Sequence, residues 1–162
     1  MKILSMKTTI FLGAMLSLLV CLMFTGCSNS ETNSTSRGLT DFAHIEEEYL
    51  ATIDSLNWPD GITLPDKLED EDTGASFQDY GETRASYLWE YSWMKEWLDT
   101  YNTDPERAEK ALEELEKAFD MPYMGIDRCD DATRNYLREN IDKAKLGDPS
   151  GFTESIRANY AN

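Results

Sequence analysis

Two glutamates face the wrong way for surface acids. At about 100° per residue, Glu46 projects into the helical stripe of Phe42, Ile45, Tyr49, Leu50 and Ile53, and Glu90 projects between Trp97 and Tyr101. Two inward carboxylates are the minimum equipment for general acid–base chemistry, one protonated and one ionised, as in glycoside hydrolysis. They are also what a helical core holds when each acid is paired with an arginine or with backbone donors. Arg84, Arg128, Arg134 and Arg138 are at hand for that. No nucleophile-and-base set, glycine-rich phosphate loop or metal motif accompanies the two acids. Structural pairing is therefore the expectation, and a small hydrolase is the lesser alternative.

The other candidates are single residues. His44 is the one histidine of the chain and falls on the polar face of its helix, where a solvated side chain belongs. Cys129, in "IDRCDDA", lies among acids that raise a thiol's pKa and keep it a poor nucleophile. Without a Cys/His cluster no zinc site of the usual kind is expected, and no motif asks for another metal or a cofactor. The acid run "DKLEDED" raises calcium as a possibility. Set on an EF-hand loop with Gly74 at position 6, it places Glu69, Glu71 and Thr73 at positions 1, 3 and 5 and Tyr80 at 12, so the ligands fail at 5 and 12. Residues 66–79 are expected to be a solvated acidic loop, with weak, irregular calcium binding as its alternative.

Cys27 has a different setting. The first 26 residues hold no acid, Lys2 and Lys7 make a basic start, Thr8 to Met23 is almost wholly apolar, and Phe24-Thr25-Gly26 leads into Cys27. Basic, apolar, then small is the order of a secretory signal. Phe24-Thr25-Gly26-Cys27 resembles the lipobox of bacterial lipoproteins, with Phe24 standing where leucine is usual. The resemblance implies cleavage before Cys27, a diacylglyceryl thioether on its sulfur, and usually a third acyl chain on the new amino group. It also implies a home in the cell envelope, anchored to the membrane on its extracytoplasmic side. An uncleaved membrane helix is the alternative, but the apolar run of roughly 16–18 residues is short of the ~20 that a span wants. Two or three chains also anchor firmly where one holds only marginally. Ser28 to Gly38 is Ser/Thr-rich, has no large apolar residue and cannot bury enough surface to fold. As a flexible tether it spans about 17–20 Å on average.

The elements that must position the two acids are helical throughout. Leu39 to Leu56 carries one apolar stripe; Asn57 to Gly81 is a long connection that Trp58 should plug onto the core; Glu82 to Tyr101 has no internal Gly or Pro. Thr103 and Glu106 form a capping box with Pro105 in the first turn of a helix running to about Phe119, with Ala108, Leu112, Leu115 and Phe119 on one face. Asp130 or Asp131 caps Ala132 to Leu146, which Gly147 ends, and Phe152, Ile156 and Tyr160 suggest a short last helix. No stretch alternates as a strand. The expected organisation is a signal peptide over 1–26, a lipidated tether over 27–38, and over 39–162 an acidic all-α domain, a compact bundle of four or five helices.

Charge and aromatics bound the function. The chain carries −16, and loss of Lys2 and Lys7 with the signal deepens this by two. Such a surface repels phosphate backbones, so no nucleic-acid partner is expected. Only Cys129 remains in the domain once Cys21 leaves with the signal and Cys27 takes lipid, so no intrachain disulfide is expected. The segment Glu82 to Tyr101 holds three of the four tryptophans and three of the eight tyrosines, covering more of the helix than one core face requires. Tyr87, Tyr91, Met94 and Leu98 mark the centre of its apolar arc and are expected in the core. Trp89 and Trp93 lie about 120° or more from that centre. They are either covered by the Asn57–Gly81 connection or, with Trp97, form a binding face. The resulting expectation is a membrane-anchored, non-enzymatic interaction module whose partner is another envelope protein. Binding of a small ligand, peptide or glycan through the aromatic helix is the alternative. No feature sets an oligomeric state.

Only a thiol at the signal boundary can form the thioether, so Cys27→Ala should abolish incorporation of labelled palmitate. Equal labelling of the variant would reject the anchor.

Overall fold

The computed structural model describes residues 38–69 and 76–160; the signal segment, the tether up to residue 37 and the end of the acid run lie outside them. The described chain is all-α apart from one two-residue ladder. In order it comprises β1 (Leu39–Thr40), α1 (Phe42–Ser55), β2 (Ser76–Phe77), α2 (Tyr80–Thr100), α3 (Pro105–Glu116), two 3-10 turns (Lys117–Asp120 and Pro122–Met124), α4 (Asp131–Lys145) and α5 (Ser150–Asn159).

Caps explain the boundaries. Asp41 accepts from the His44 N–H at 3.0 Å and starts α1 three residues later than its stripe implies. This leaves Leu39 and Thr40 to pair antiparallel with Phe77 and Ser76. The cap of α3 is Asp104, not Thr103: its carboxylate accepts from the Arg107 N–H at 3.2 Å. Asp104 prevails because capping from there puts Pro105 first in the helix, where a missing N–H costs nothing. Thr103 turns back instead, to the Asp99 and Thr100 carbonyls. Asp130 caps α4 through the Thr133 N–H at 2.7 Å, and Gly147, at φ 79°, follows its last turn.

Helix α2 is the axis of the bundle, touching α1, α3 and α5. One core cluster gathers Ile45, Tyr49 and Ile53 of α1 with Leu68 and Ala85. The larger one joins Trp89, Trp93 and Trp97 to Leu115, Tyr123, Leu137, Ile141 and Phe152. Trp58 packs against both, its indole N–H held by the Ile53 carbonyl at 2.9 Å, as a plug should be.

The phase of α2 differs from the expected one. Trp89 and Trp93 are 1 % exposed, whereas Tyr87 is 42 % exposed and Tyr91 and Leu98 are half-buried. The tryptophan binding face is thereby corrected: Trp89, Trp93 and Trp97 are core. The connection after α1 covers this edge, and its Asn57 carbonyl accepts both indole N–H groups, from Trp89 at 2.8 Å and from Trp93 at 3.2 Å. An average over all apolar side chains counts a tyrosine like a tryptophan, but a phenol tolerates a wet edge and takes it here.

Two glycines set the helix spacings. A Cβ on Gly81 would lie 2.0 Å from the Ile45 carbonyl oxygen and 2.8 Å from the Tyr49 nitrogen, so α1 and α2 cross backbone to backbone. On Gly151 it would meet Asn140 Oδ1 at 2.5 Å, where α5 closes on α4. Because the obstacle at Gly81 is main chain, Gly81→Ala should cost at least the ~1–3 kcal/mol of ordinary overpacking. The readout is the urea midpoint at constant slope, and an unchanged midpoint would show that the crossing is looser than described.

Candidate functional site

Rotating the tryptophans inward brings a different side of α2 to a cleft. Arg84, Tyr87 and Glu90 of α2 form one wall, Thr133, Tyr136 and Leu137 of α4 another, and Ser155, Asn159 and Tyr160 at the end of α5 a third, with Met124 behind. The cleft measures about 340 Å³, within the lower range of small-molecule sites. A further hollow of about 270 Å³, reaching Tyr49, Leu68 and Leu88, shares Arg84, Tyr87 and Tyr160 with it. Larger hollows of about 440 Å³ and 490 Å³ are bordered by side chains already held in ion pairs, Lys145–Glu116 in one, Lys95–Asp99 and Arg107–Glu96 in the other.

Glu90 is 8 % exposed and forms part of the cleft wall. Its partner is the Tyr123 hydroxyl, which donates to Oε2 at 2.8 Å. Tyr123 comes from the second 3-10 turn and meets Tyr87 edge-on at 5.7 Å between ring centres. Tyr160 leans on Tyr91 at 4.9 Å. These contacts hold two of the cleft's phenols, Tyr87 and Tyr160, in fixed orientation.

The arginine partner expected for Glu90 is absent among the described residues. Arg128 donates to Glu82 Oε2 at 2.7 Å, to Thr83 Oγ1 at 2.7 Å and to the Asp79 carbonyl at 3.0 Å, tying the start of α2. Arg134 binds Asp131 and the Cys129 carbonyl. Arg138 lies over the Phe119 ring at 4.5 Å. Each of these guanidinium groups is engaged by other acids, carbonyls or a ring, and Glu90 is left with a phenol.

Burial therefore decides the electrostatics. Desolvation pushes the Glu90 carboxyl from 4.5 to about 7, against the opposing pull of the Tyr123 hydrogen bond. The Tyr123 and Tyr160 hydroxyls are pushed above the ordinary phenol value, first by burial and then by the Glu90 charge. Tyr87 moves the same way for the same reasons. Cys129 is also raised, with burial ahead of Asp130 as the cause.

The second inward acid does not join the first. Glu46 is half-buried and accepts the Leu68 N–H at 3.1 Å, fastening the long connection to α1. It takes no part in the Glu90 cleft walls, so the two carboxylates are not arranged as an acid–base pair across one cleft. His44 is exposed beside Glu47 and Glu48. The EF-hand-like register rests on residues 70–75, outside the described residues. Sequence reasoning picked Glu90 but missed Tyr123, Tyr136 and Tyr160; the i, i+4, i+8 series ending in Tyr160 was the one available signal.

No protein-family model matches the chain, and neither a curated protein nor a solved structure matches it.

A carboxyl raised from 4.5 to about 7 binds its proton more tightly in the folded than in the unfolded chain. Its contribution is full below the unfolded value and is lost as pH rises through about 7. The loss amounts to about 2–3 kcal/mol between pH 5 and pH 8. Glu90→Gln should remove this slope, so the variant gains that amount on the wild type across the interval in urea titrations. Parallel pH profiles for the two proteins would contradict the burial.

Proposed function

We propose that the chain is a lipid-anchored protein of the cell envelope whose helical domain binds a small ligand in the cleft between α2, α4 and α5. The observation that carries this is the cleft itself: an aromatic-walled concavity whose one deeply buried titratable side chain, Glu90, sits where a ligand would reach it. Concave sites with mostly apolar walls and a few convergent polar groups are the usual form of small-molecule sites, and a strongly perturbed carboxyl in such a place is a candidate functional group. The ligand meets the tyrosine side of the aromatic helix; the tryptophan side is spent on the core. The anchor rests on the lipobox resemblance at Cys27. Among the described residues no helix is long and apolar enough to cross a membrane.

Docking of another envelope protein is the second reading. What favours it is an exposed apolar pair, Leu39 at 69 % and Phe77 at 61 %, facing each other across the β1–β2 ladder where the tether enters the domain. A hydrolase finds less support, since the second carboxylate is engaged elsewhere.

Screening a fragment library by NMR on the isotope-labelled chain tests the cleft. Bound fragments should shift the resonances of Tyr87, Tyr136 and Tyr160 together, and Tyr136→Ala should weaken the best of them about tenfold. Fragments that bind only outside the cleft, or none at all, would overturn the reading.

A further inference from the structure

Glu90 is a buried acid without a buried base. Its hydrogen bond comes from a neutral phenol, and among the described residues no lysine or arginine forms an ion pair with it. Arg84 lines the same cleft but does not draw the carboxyl down. Tyr87 on α2, Tyr136 on α4 and Tyr160 after α5 line the same cleft as the acid. Aromatic faces attract cations through their quadrupoles, and more strongly where water is displaced. A carboxylate within aromatic walls answers both halves of an organic ammonium, its charge and its apolar skirt. The chain as a whole carries −16, which favours cations over anions as ligands.

We infer that the ligand of this cleft is a small organic cation, a primary or quaternary amine seated against the Glu90 carboxylate and walled by Tyr87, Tyr136 and Tyr160. The inference rests on the cleft being a ligand site and adds the charge of what enters it. The amine supplies the positive partner that the fold withholds from Glu90.

Proton release follows from this geometry. In the free protein Glu90 is about half protonated near pH 7, and an ammonium binds only the ionised form. The other titratable groups facing it hold one charge state over the same interval. Tyr87, Tyr123 and Tyr160 are all raised above the ordinary phenol value and stay neutral, and the Cys129 thiol is raised as well; the Arg84 guanidinium is on the same cleft wall. Binding of a non-titrating cation should therefore tighten about tenfold between pH 6 and pH 8.

The test is calorimetry on the full chain in detergent micelles with four probes of similar size: benzylamine, benzyltrimethylammonium, benzyl alcohol and benzoate. Both cations should bind, benzoate should not, and both should bind about tenfold more tightly at pH 8 than at pH 6. Glu90→Gln should lose the preference for cations and its pH profile while keeping whatever affinity benzyl alcohol has. Tyr123→Phe keeps the carboxylate and removes its donor, so the preference should survive with its midpoint moved to higher pH; this second variant decides the matter if the first does not fold. Benzyl alcohol or benzoate binding as tightly as the amines would overturn the cation and leave the cleft standing as a ligand site. Failure of all four probes to bind would overturn both.

Discussion

One carbonyl fixes the rotation of the central helix. The Asn57 oxygen accepts the indole N–H groups of Trp89 and Trp93, and a buried indole N–H left unpaired would cost about 1–3 kcal/mol. With both tryptophans locked against the connection after α1, the rest of α2 has no freedom to turn. Ala85 meets α1, Trp97 meets Phe152 of α5 edge-on at 5.4 Å, and Glu90 and Tyr87 arrive at the cleft. The contact at Gly81 fixes the other end of the helix against α1 at main-chain distance. The cleft thus inherits its geometry from two constraints, neither of which lies in it.

This explains why a buried acid survives without an arginine. Glu90 is carried inward by a helix whose orientation is set elsewhere, and its side chain must accept whatever environment results. Among the described residues the arginines that might have met it have closer commitments: Arg128 holds the start of α2, and Arg134 closes the turn before α4. A carboxyl in that position relieves its desolvation by taking up a proton. It costs the fold less below neutral pH, and above it the acid is a charge awaiting a partner. Stability and ligand affinity are accordingly set against each other through one side chain, as is common where a site is built at the expense of the core.

Much of the fold was legible in the sequence because it is written in local signals. Asp130 before α4, Gly147 after it, Pro105 opening α3 and the stripe of Ile45, Tyr49 and Ile53 each act over a turn or two of helix, where residue type suffices. The rotation of α2 was not legible, since it depends on a carbonyl 32 and 36 residues away from the two indoles that bind it. For the same reason the site was half visible. Glu90 showed itself by facing an apolar arc, while Tyr123, on a 3-10 turn without periodicity, and Tyr136, off the buried Leu137–Ile141–Ala144 stripe of α4, gave no sign of converging on it. The Leu39–Phe77 ladder was invisible because two residues are too few to alternate.

The character of the cleft depends most on Glu90 being an acid poised near neutrality in the folded chain. Its carboxyl carbon can be followed directly by NMR in uniformly labelled protein, the signal being assigned by its loss in Glu90→Gln. A titration midpoint at about 7 is the predicted result. A midpoint at the ordinary value of 4.5 would mean that water solvates the carboxylate freely, and it would contradict both the buried acid and the cleft built around it.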